Sequence, residues 1–89
     1  MEITDVRFRR FSDSGRLRAL VSVTFDGVFA VHDIKIIEGD DRLFLAMPSR
    51  RTPDGKYHDI VHPVGPALRD ALETRVLDEY RRAVPTAQM

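Results

Sequence analysis

The clearest candidate binding residues of this 89-residue chain are two adjacent arginines. Arg50 and Arg51 precede residues 52–55, whose order Thr-Pro-Asp-Gly is typical of a β-turn because proline presets the second position and glycine suits the fourth. We expect this turn to stiffen the loop and to hold both guanidinium groups outward. A guanidinium group can bond two phosphate or carboxylate oxygens at once and stays charged at every relevant pH. The segment therefore predicts an anion-binding site, and the alternative is a solvated loop without a function.

The histidines do not form a catalytic or metal-binding motif. His32 and His58 each precede an aspartate, but neighbouring residues of a strand point to opposite faces, so neither pair makes an oriented acid–base dyad without a bulge. His58 and His62 have the spacing of a helical zinc pair, yet an extended chain would separate them by about 13 Å at ~3.3 Å per residue. The chain has no cysteine, which excludes disulfides and thiolate chemistry. We predict no enzymatic activity, no cofactor, no metal ion and no small-molecule substrate.

The composition limits the kind of partner. Basic and acidic residues number 14 each, so the net charge is zero and any site for a polyanion must be a local patch. No run of residues is long or apolar enough to cross a membrane, and the acidic residues Glu2 and Asp5 make the amino terminus unlike a signal peptide. We therefore expect a cytoplasmic protein without membrane contact. The length predicts one domain, residues 1–84, followed by a frayed tail at 85–89.

The apolar pattern predicts about five antiparallel strands. Residues 3–11 and 17–25 alternate with the period of half-buried strands. The sides expected to pack hold Thr4, Val6 and Phe8 in the first strand, and Leu17, Ala19, Val21, Val23 and Phe25 in the second. Asp26 and Gly27 predict a hairpin to the next strand, because a type I′ turn needs positive φ at both central positions. Residues 43–47 and 56–61 predict two further short strands.

The end of the chain predicts one amphipathic helix that begins near Pro66 and ends at Pro85. Its apolar stripe holds Leu68, Leu72, Val76 and Tyr80, widened by Ala71, Ala83 and Val84. The fold class is therefore α+β, an antiparallel sheet of about five strands with one carboxy-terminal α-helix.

The third strand, residues 28–37, predicts a homodimer because it is apolar on both sides. One side holds Val28, Ala30, Ile34 and Ile36, and the other holds Phe29, Val31 and Ile37. One helix covers one face of the sheet, so a second copy of the chain is expected to cover the other. The alternative is that the second set of apolar residues is scattered on the surface. A dimer would present two arginine segments to one polyanion.

Four segments resemble the bacterial SpoVG family, the stage V sporulation protein G or septation regulator. They read ITDVR at 3–7, VHDIKII at 31–37, LFLAMPSRRTPDG at 43–55 and DIVHP at 59–63. The resemblance implies a strand-exchanged homodimer with the α+β fold given above. It also implies a regulator that binds DNA, and RNA in some members, and that is linked to cell division septation and, in spore formers, to sporulation. The family's basic loop is matched here by Arg50 and Arg51, and the neighbouring helical region is implied as a second contact.

The predicted nucleic-acid contacts are all basic. They are Arg50 and Arg51 on phosphates, Lys56 in support, and Arg7, Arg9, Arg81 and Arg82 as outer contacts. The alternative function is a dimeric protein-interaction module that acts at septation, in which these arginines meet acidic partner surfaces. The helix uses its apolar stripe for packing, so no recognition helix is free to enter a major groove, and we expect modest sequence preference.

Overall fold

A four-stranded antiparallel sheet, a separate two-stranded ribbon and one helix make up the fold. The computed structural model describes residues 1–12 and 14–84. In chain order the elements are β1 Ile3–Phe11, β2 Leu17–Phe25, β3 Phe29–Glu38, β4 Leu43–Ala46, β5 Ser49–Arg51, β6 Tyr57–Asp59 and α1 Pro66–Ala83. The sheet has the order β1-β2-β3-β4, and β5 pairs only with β6 among the described strands. The predicted α+β class is confirmed, whereas the predicted fifth strand is shorter than expected and belongs to the ribbon.

The turn between β2 and β3 has the predicted geometry. Asp26 and Gly27 have φ values of 53° and 68°, the two left-handed positions of a type I′ turn. The Val28 N–H closes the turn by donating to the Phe25 carbonyl at 3.0 Å.

Gly27 is needed for its backbone conformation and not for space. A Cβ atom added there would meet no other atom within 4 Å, so the cost of Gly27→Ser is the cost of a left-handed backbone, about 1–2 kcal/mol. We expect urea unfolding to show a loss of that size. Gly65→Ser is the matched control, because Gly65 is the extended N-cap of α1, where serine is at least as favourable as glycine. Equal losses at the two positions would contradict the role given to the turn.

A β-bulge in β3 decides which side chains of that strand are buried. The register between β2 and β3 shifts between the Val21 and Val23 pairs, and Asp33 has φ 65°. The extra residue lets both Val31 and Ile34 point toward the helix, and Ile36 follows on the same side. The prediction that Val31 lies on the side opposite Ile34 and Ile36 is therefore wrong. Val28 is 87% exposed at the turn, whereas Val31 is 6% exposed.

Two bulges also alter β1. The register shifts between Ile3 and Asp5 and again between Phe8 and Arg10. Ile3 packs against the core in place of the predicted Thr4, whose hydroxyl instead donates to the Thr24 carbonyl at 3.2 Å. The side predicted for Val6 and Phe8 is confirmed.

Helix α1 lies across one face of the sheet, called here the inner face; the opposite side is the outer face. Gly65 is the N-cap and Pro66 the first helical residue, as predicted. Leu72 and Val76 of the predicted stripe are buried, Leu77 joins them, and the predicted Ala71 and Ala83 are exposed. The core consists of these helix residues together with Ala19, Val21, Val23, Phe25, Val31, Ile34, Ile36, Leu45 and Met47. The helix ends at Ala83, and the predicted frayed tail lies outside the described residues.

Candidate nucleic-acid interface

The predicted arginine loop is a β-ribbon. Arg50 pairs with His58 and Arg51 with Tyr57 in an antiparallel register, so the two arginines lie on strand β5 and not in an irregular loop. Adjacent residues of a strand point to opposite faces, and the two guanidinium groups therefore flank the ribbon on both sides. Both side chains are exposed, as predicted. The predicted fifth strand supplies the partner β6, but its pairing with residues 49–51 was not predicted from the sequence.

An aromatic ring orients one of the arginines. The guanidinium carbon of Arg51 lies 6.0 Å from the centroid of the Tyr57 ring, within the range of a cation–π contact. This contact favours a guanidinium group that stands over the ring with its N–H donors directed outward. Phosphate oxygens can use such donors in pairs.

The turn that joins β5 and β6 is held by side chains. The Gly55 N–H donates to the Thr52 carbonyl at 2.9 Å, which confirms the predicted turn. The Thr52 hydroxyl donates to the Asp54 carboxylate, and the Lys56 N–H donates to the same carboxylate at 3.1 Å. These two bonds, the one from Thr52 first, lower the pKa of the Asp54 carboxyl from its ordinary value of 3.8. The turn therefore keeps an ionised carboxylate beside the basic strand. We call these two hydrogen bonds to Asp54 the clamp of the turn.

The clamp makes a prediction about pH. A carboxyl whose pKa is lowered by folding stabilises the fold above its unfolded pKa, and that stability is lost as pH falls through the folded pKa. We expect the turn bonds to be complete at neutral pH and to weaken only below about pH 3.8. Thr52→Val should raise the pKa of Asp54 toward its ordinary value, as measured by carbon NMR titration of the carboxyl group. Pro53→Ala leaves both bonds in place and is the control; an unchanged titration in Thr52→Val would contradict the clamp.

Ion pairs separate the predicted contact residues into two groups. Arg7 is bonded to Asp5 at 2.8 Å and Arg81 to Asp78 at 3.4 Å, so the charge of each is already compensated. The other five predicted cations make no ion pair with a carboxylate of residues 1–12 or 14–84. They are Arg9, Arg50, Arg51, Lys56 and Arg82.

The structure does not bring all predicted contacts to one surface. Arg50, Arg51 and Lys56 lie together on the ribbon and its turn. Arg7 and Arg9 belong to β1, where Arg7 pairs with Ser22 on the outer face and Arg9 donates to the Ser22 hydroxyl at 3.1 Å. Arg81 and Arg82 lie in the last turn of α1, on the inner side of the sheet. The ribbon therefore holds the largest group of predicted residues on one element, with Arg50 and Arg51 on its opposite sides.

Two further exposed cations, absent from the predicted contacts, lie on the outer face. Arg10 pairs with Leu20, and Leu20 pairs with Lys35 across β2 and β3. Simple alternation along β1 places Arg10 beside Phe8 on the packed side, and the bulge between them reverses this. Lys35 carried a usable sequence signal, since it lies between Ile34 and Ile36, which face the core.

A serine–histidine contact lies on the outer face. The Ser22 hydroxyl lies 2.8 Å from His32 Nδ1 and also accepts a hydrogen bond from Arg9. Ser22 is 5% exposed, whereas His32 is exposed. Asp33 lies at a β-bulge, the kind of irregularity that a His32–Asp33 pair would need. His32 nevertheless contacts Ser22 and not Asp33.

The remaining two histidines have different neighbours. His58 faces Arg50 across the ribbon, while His62 Nδ1 lies 3.0 Å from the Pro63 carbonyl oxygen. Within the described residues no group of three potential metal ligands occurs. No helix in the described part of the chain combines the length and apolar character that crossing a bilayer requires.

Comparison with known proteins places this chain in a family. The SpoVG family model matches residues 1–82. A protein of Caldanaerobacter subterraneus subsp. tengcongensis named "Putative septation protein SpoVG" is 55% identical over 83 residues, covering 93% of this chain and 91% of the relative. A relative with the same name in Caldicellulosiruptor saccharolyticus is 49% identical and covers 99% of this chain and 100% of the relative. Another, in Clostridium acetobutylicum, is 54% identical and covers 92% of this chain and 86% of the relative. The chain belongs to the SpoVG family.

Proposed function

We propose that this protein is a dimeric, non-enzymatic regulator that binds DNA and RNA in the cytoplasm and acts in cell division septation and, in spore formers, in sporulation. The septation role is supported by the names of the relatives. Nucleic-acid binding is supported by one observation, the β5–β6 ribbon with three exposed cations that make no ion pair with a described carboxylate. Arg50 and Arg51 neutralise phosphates, and Lys56 adds a third charge at the turn.

The charge balance of the chain limits the strength and the selectivity of this binding. The net charge is zero, so attraction comes from the ribbon and not from the whole molecule. A few phosphate contacts give a shallow salt dependence, and a contact to phosphate carries no base sequence. We expect weak to moderate affinity with modest sequence preference.

A second copy of the chain completes the proposal. The outer face is less apolar than the sequence predicts, because Val31 points inward. Apolar residues are exposed instead around a cleft between the sheet and the start of α1, which Met1, Phe29 and Pro63 help to line. Phe29 is 53% exposed there, and Ile60 and Val64, close by in the chain, are 62% and 94% exposed. We place the dimer contact at this cleft, where burial of these side chains stabilises the pair.

Two measurements test the proposed function. Binding of the wild-type protein to mixed DNA and RNA oligonucleotides at two salt concentrations should show affinity that falls as salt rises. Sedimentation equilibrium should give twice the chain mass of 10.2 kDa, and Phe29→Glu should give one chain mass. Absence of binding to both pools would favour the protein-interaction module, and a wild-type mass of one chain would overturn the dimer.

A further inference from the structure

The outer face carries a row of directly paired residues that crosses all four strands. Arg10, Leu20, Lys35 and Ala46 are successive cross-strand partners on β1, β2, β3 and β4. Neighbouring strands lie about 4.8 Å apart, so the backbones at Arg10 and Lys35 are separated by roughly 10 Å. The two cations thus stand on one flat surface at a fixed spacing.

The acidic residues leave this surface positively charged. Arg9, Arg10 and Lys35 make no ion pair with a described carboxylate. On the same face Asp5 is bonded to Arg7, so that pair is neutral. The three unpaired cations and the single negative charge of Asp33, at the bulge, give this surface a net charge of +2.

A row of partly exposed apolar side chains lies beside these cations. Leu17, Ile37 and Phe44 are successive partners across β2, β3 and β4, and each is half-buried. The predicted place of Leu17 on the packed side is wrong, because a register shift between the Leu17 and Ala19 pairs turns Leu17 to the outer face. The ring of Phe44 packs on Gly39, where an added Cβ atom would lie 3.2 Å from ring atom Cε1. The ring is therefore held in place, next to the cationic row, with no described element covering the outer face.

We propose that the outer face binds a single strand of nucleic acid, with phosphates on Arg10 and Lys35 and a base against Phe44. This inference rests on the proposed function and names its substrate class. Cations that track a backbone, together with an apolar or aromatic surface for the bases, favour single strands, since a duplex keeps the faces of its bases stacked inside.

The row of paired residues on the outer face ends close to the ribbon in the chain. The row of Arg10, Leu20, Lys35 and Ala46 ends at the last residue of β4. Two residues later the Pro48 carbonyl accepts from the Ile60 N–H at 2.7 Å, which ties the two arms of the ribbon together at that end. A single strand of nucleic acid bound along this row would therefore end near the ribbon.

A pair of double variants with equal charge tests this inference. Arg10→Gln/Lys35→Gln removes the outer-face cations, and Arg16→Gln/Arg42→Gln removes two arginines that are paired with Asp40 at 3.1 Å and Glu73 at 3.9 Å. Fluorescence anisotropy would compare labelled oligothymidylate of about 20 nucleotides, which is long enough for both surfaces, with a duplex of equal length. We expect the first variant to bind the single strand about tenfold more weakly than the control, with a salt slope lower by about 1.4 because two phosphates are no longer neutralised. The affinity of both variants for the duplex should be alike.

The outcomes separate this inference from the proposed function. If the wild-type protein binds neither oligonucleotide, the proposed function fails. If binding depends on Arg50 and Arg51 but Arg10→Gln/Lys35→Gln behaves as the control, the inference alone fails. Equal losses on duplex and single strand would overturn the substrate class, and an altered sedimentation mass with unchanged affinity would make this face a protein contact. Amide shifts of Leu20, Lys35 and Phe44 on addition of oligothymidylate would support the inference.

Discussion

Replacing Arg50 and Arg51 together by glutamine is expected to weaken binding to every nucleic-acid sequence by at least about tenfold at low salt. Each guanidinium group can make charge-assisted bonds to a phosphate, and such a bond contributes about 1.5–3 kcal/mol. The dependence of log affinity on log salt should also flatten by about 0.9 for each phosphate of duplex DNA that the variant no longer neutralises. Anisotropy titrations at several salt concentrations measure both quantities.

The control for this change keeps the net charge equal. Arg16→Gln/Arg42→Gln removes two arginines that already face Asp40 and Glu73, and we expect a small effect on affinity. Arg51→Lys is informative as well, because lysine keeps the charge but loses the planar fork over Tyr57. Unchanged binding in the Arg50 and Arg51 double variant would assign these side chains to a protein partner instead.

Ile34→Ala is expected to reduce the free energy of unfolding by about 2–5 kcal/mol. Ile34 is fully buried, with 0% exposure, between the sheet and the helix. Removal of its outer methyl and methylene groups leaves a cavity that neighbouring side chains cannot fill completely. For a chain of 89 residues the total stability is about 4–13 kcal/mol at ordinary values per residue, so this one change removes a large fraction. Urea unfolding followed by circular dichroism measures the loss.

Two valine substitutions test the bulge that sets the register of β3. Val31→Ala should cost clearly more than Val28→Ala, because Val31 is 6% exposed and Val28 is 87% exposed. Simple alternation predicts the opposite assignment, with Val28 on the side of Ile34. Similar costs at the two positions would contradict the bulged register.

Most of the local structure could be predicted because it depends on neighbouring residues. The Asp26–Gly27 turn, the turn at residues 52–55 and the start of α1 at Pro66 follow from backbone preferences of a few residues. The bulges could not be predicted in this way. The position of each bulge depends on contacts with the partner strand. One example is the Ser22 hydroxyl on β2, which contacts both Arg9 on β1 and His32 on β3.

The candidate site also has some features that depend on neighbouring residues and others that depend on the partner strand. Arg50 and Arg51 are close because they are adjacent in sequence, and their exposure was predictable. The neutralisation of Arg7 by Asp5 and of Arg81 by Asp78 also had a sequence signal, since residues two apart in a strand, or three apart in a helix, share a side. The position of Arg10 on the outer face could not be predicted from the spacing of residues in the sequence.

The sequence by itself determined the fold class, the two turns, the helix and the pair of arginines, because each depends on periodicity or on the conformational range of adjacent residues. Only the tertiary structure decided that the arginines lie on a ribbon, that Val31 is in the core and that Arg10 and Lys35 share one open face. The physical reason is the period of two in a strand. One inserted residue reverses every later side chain, and cross-strand hydrogen bonding, not local preference, decides where the insertion falls.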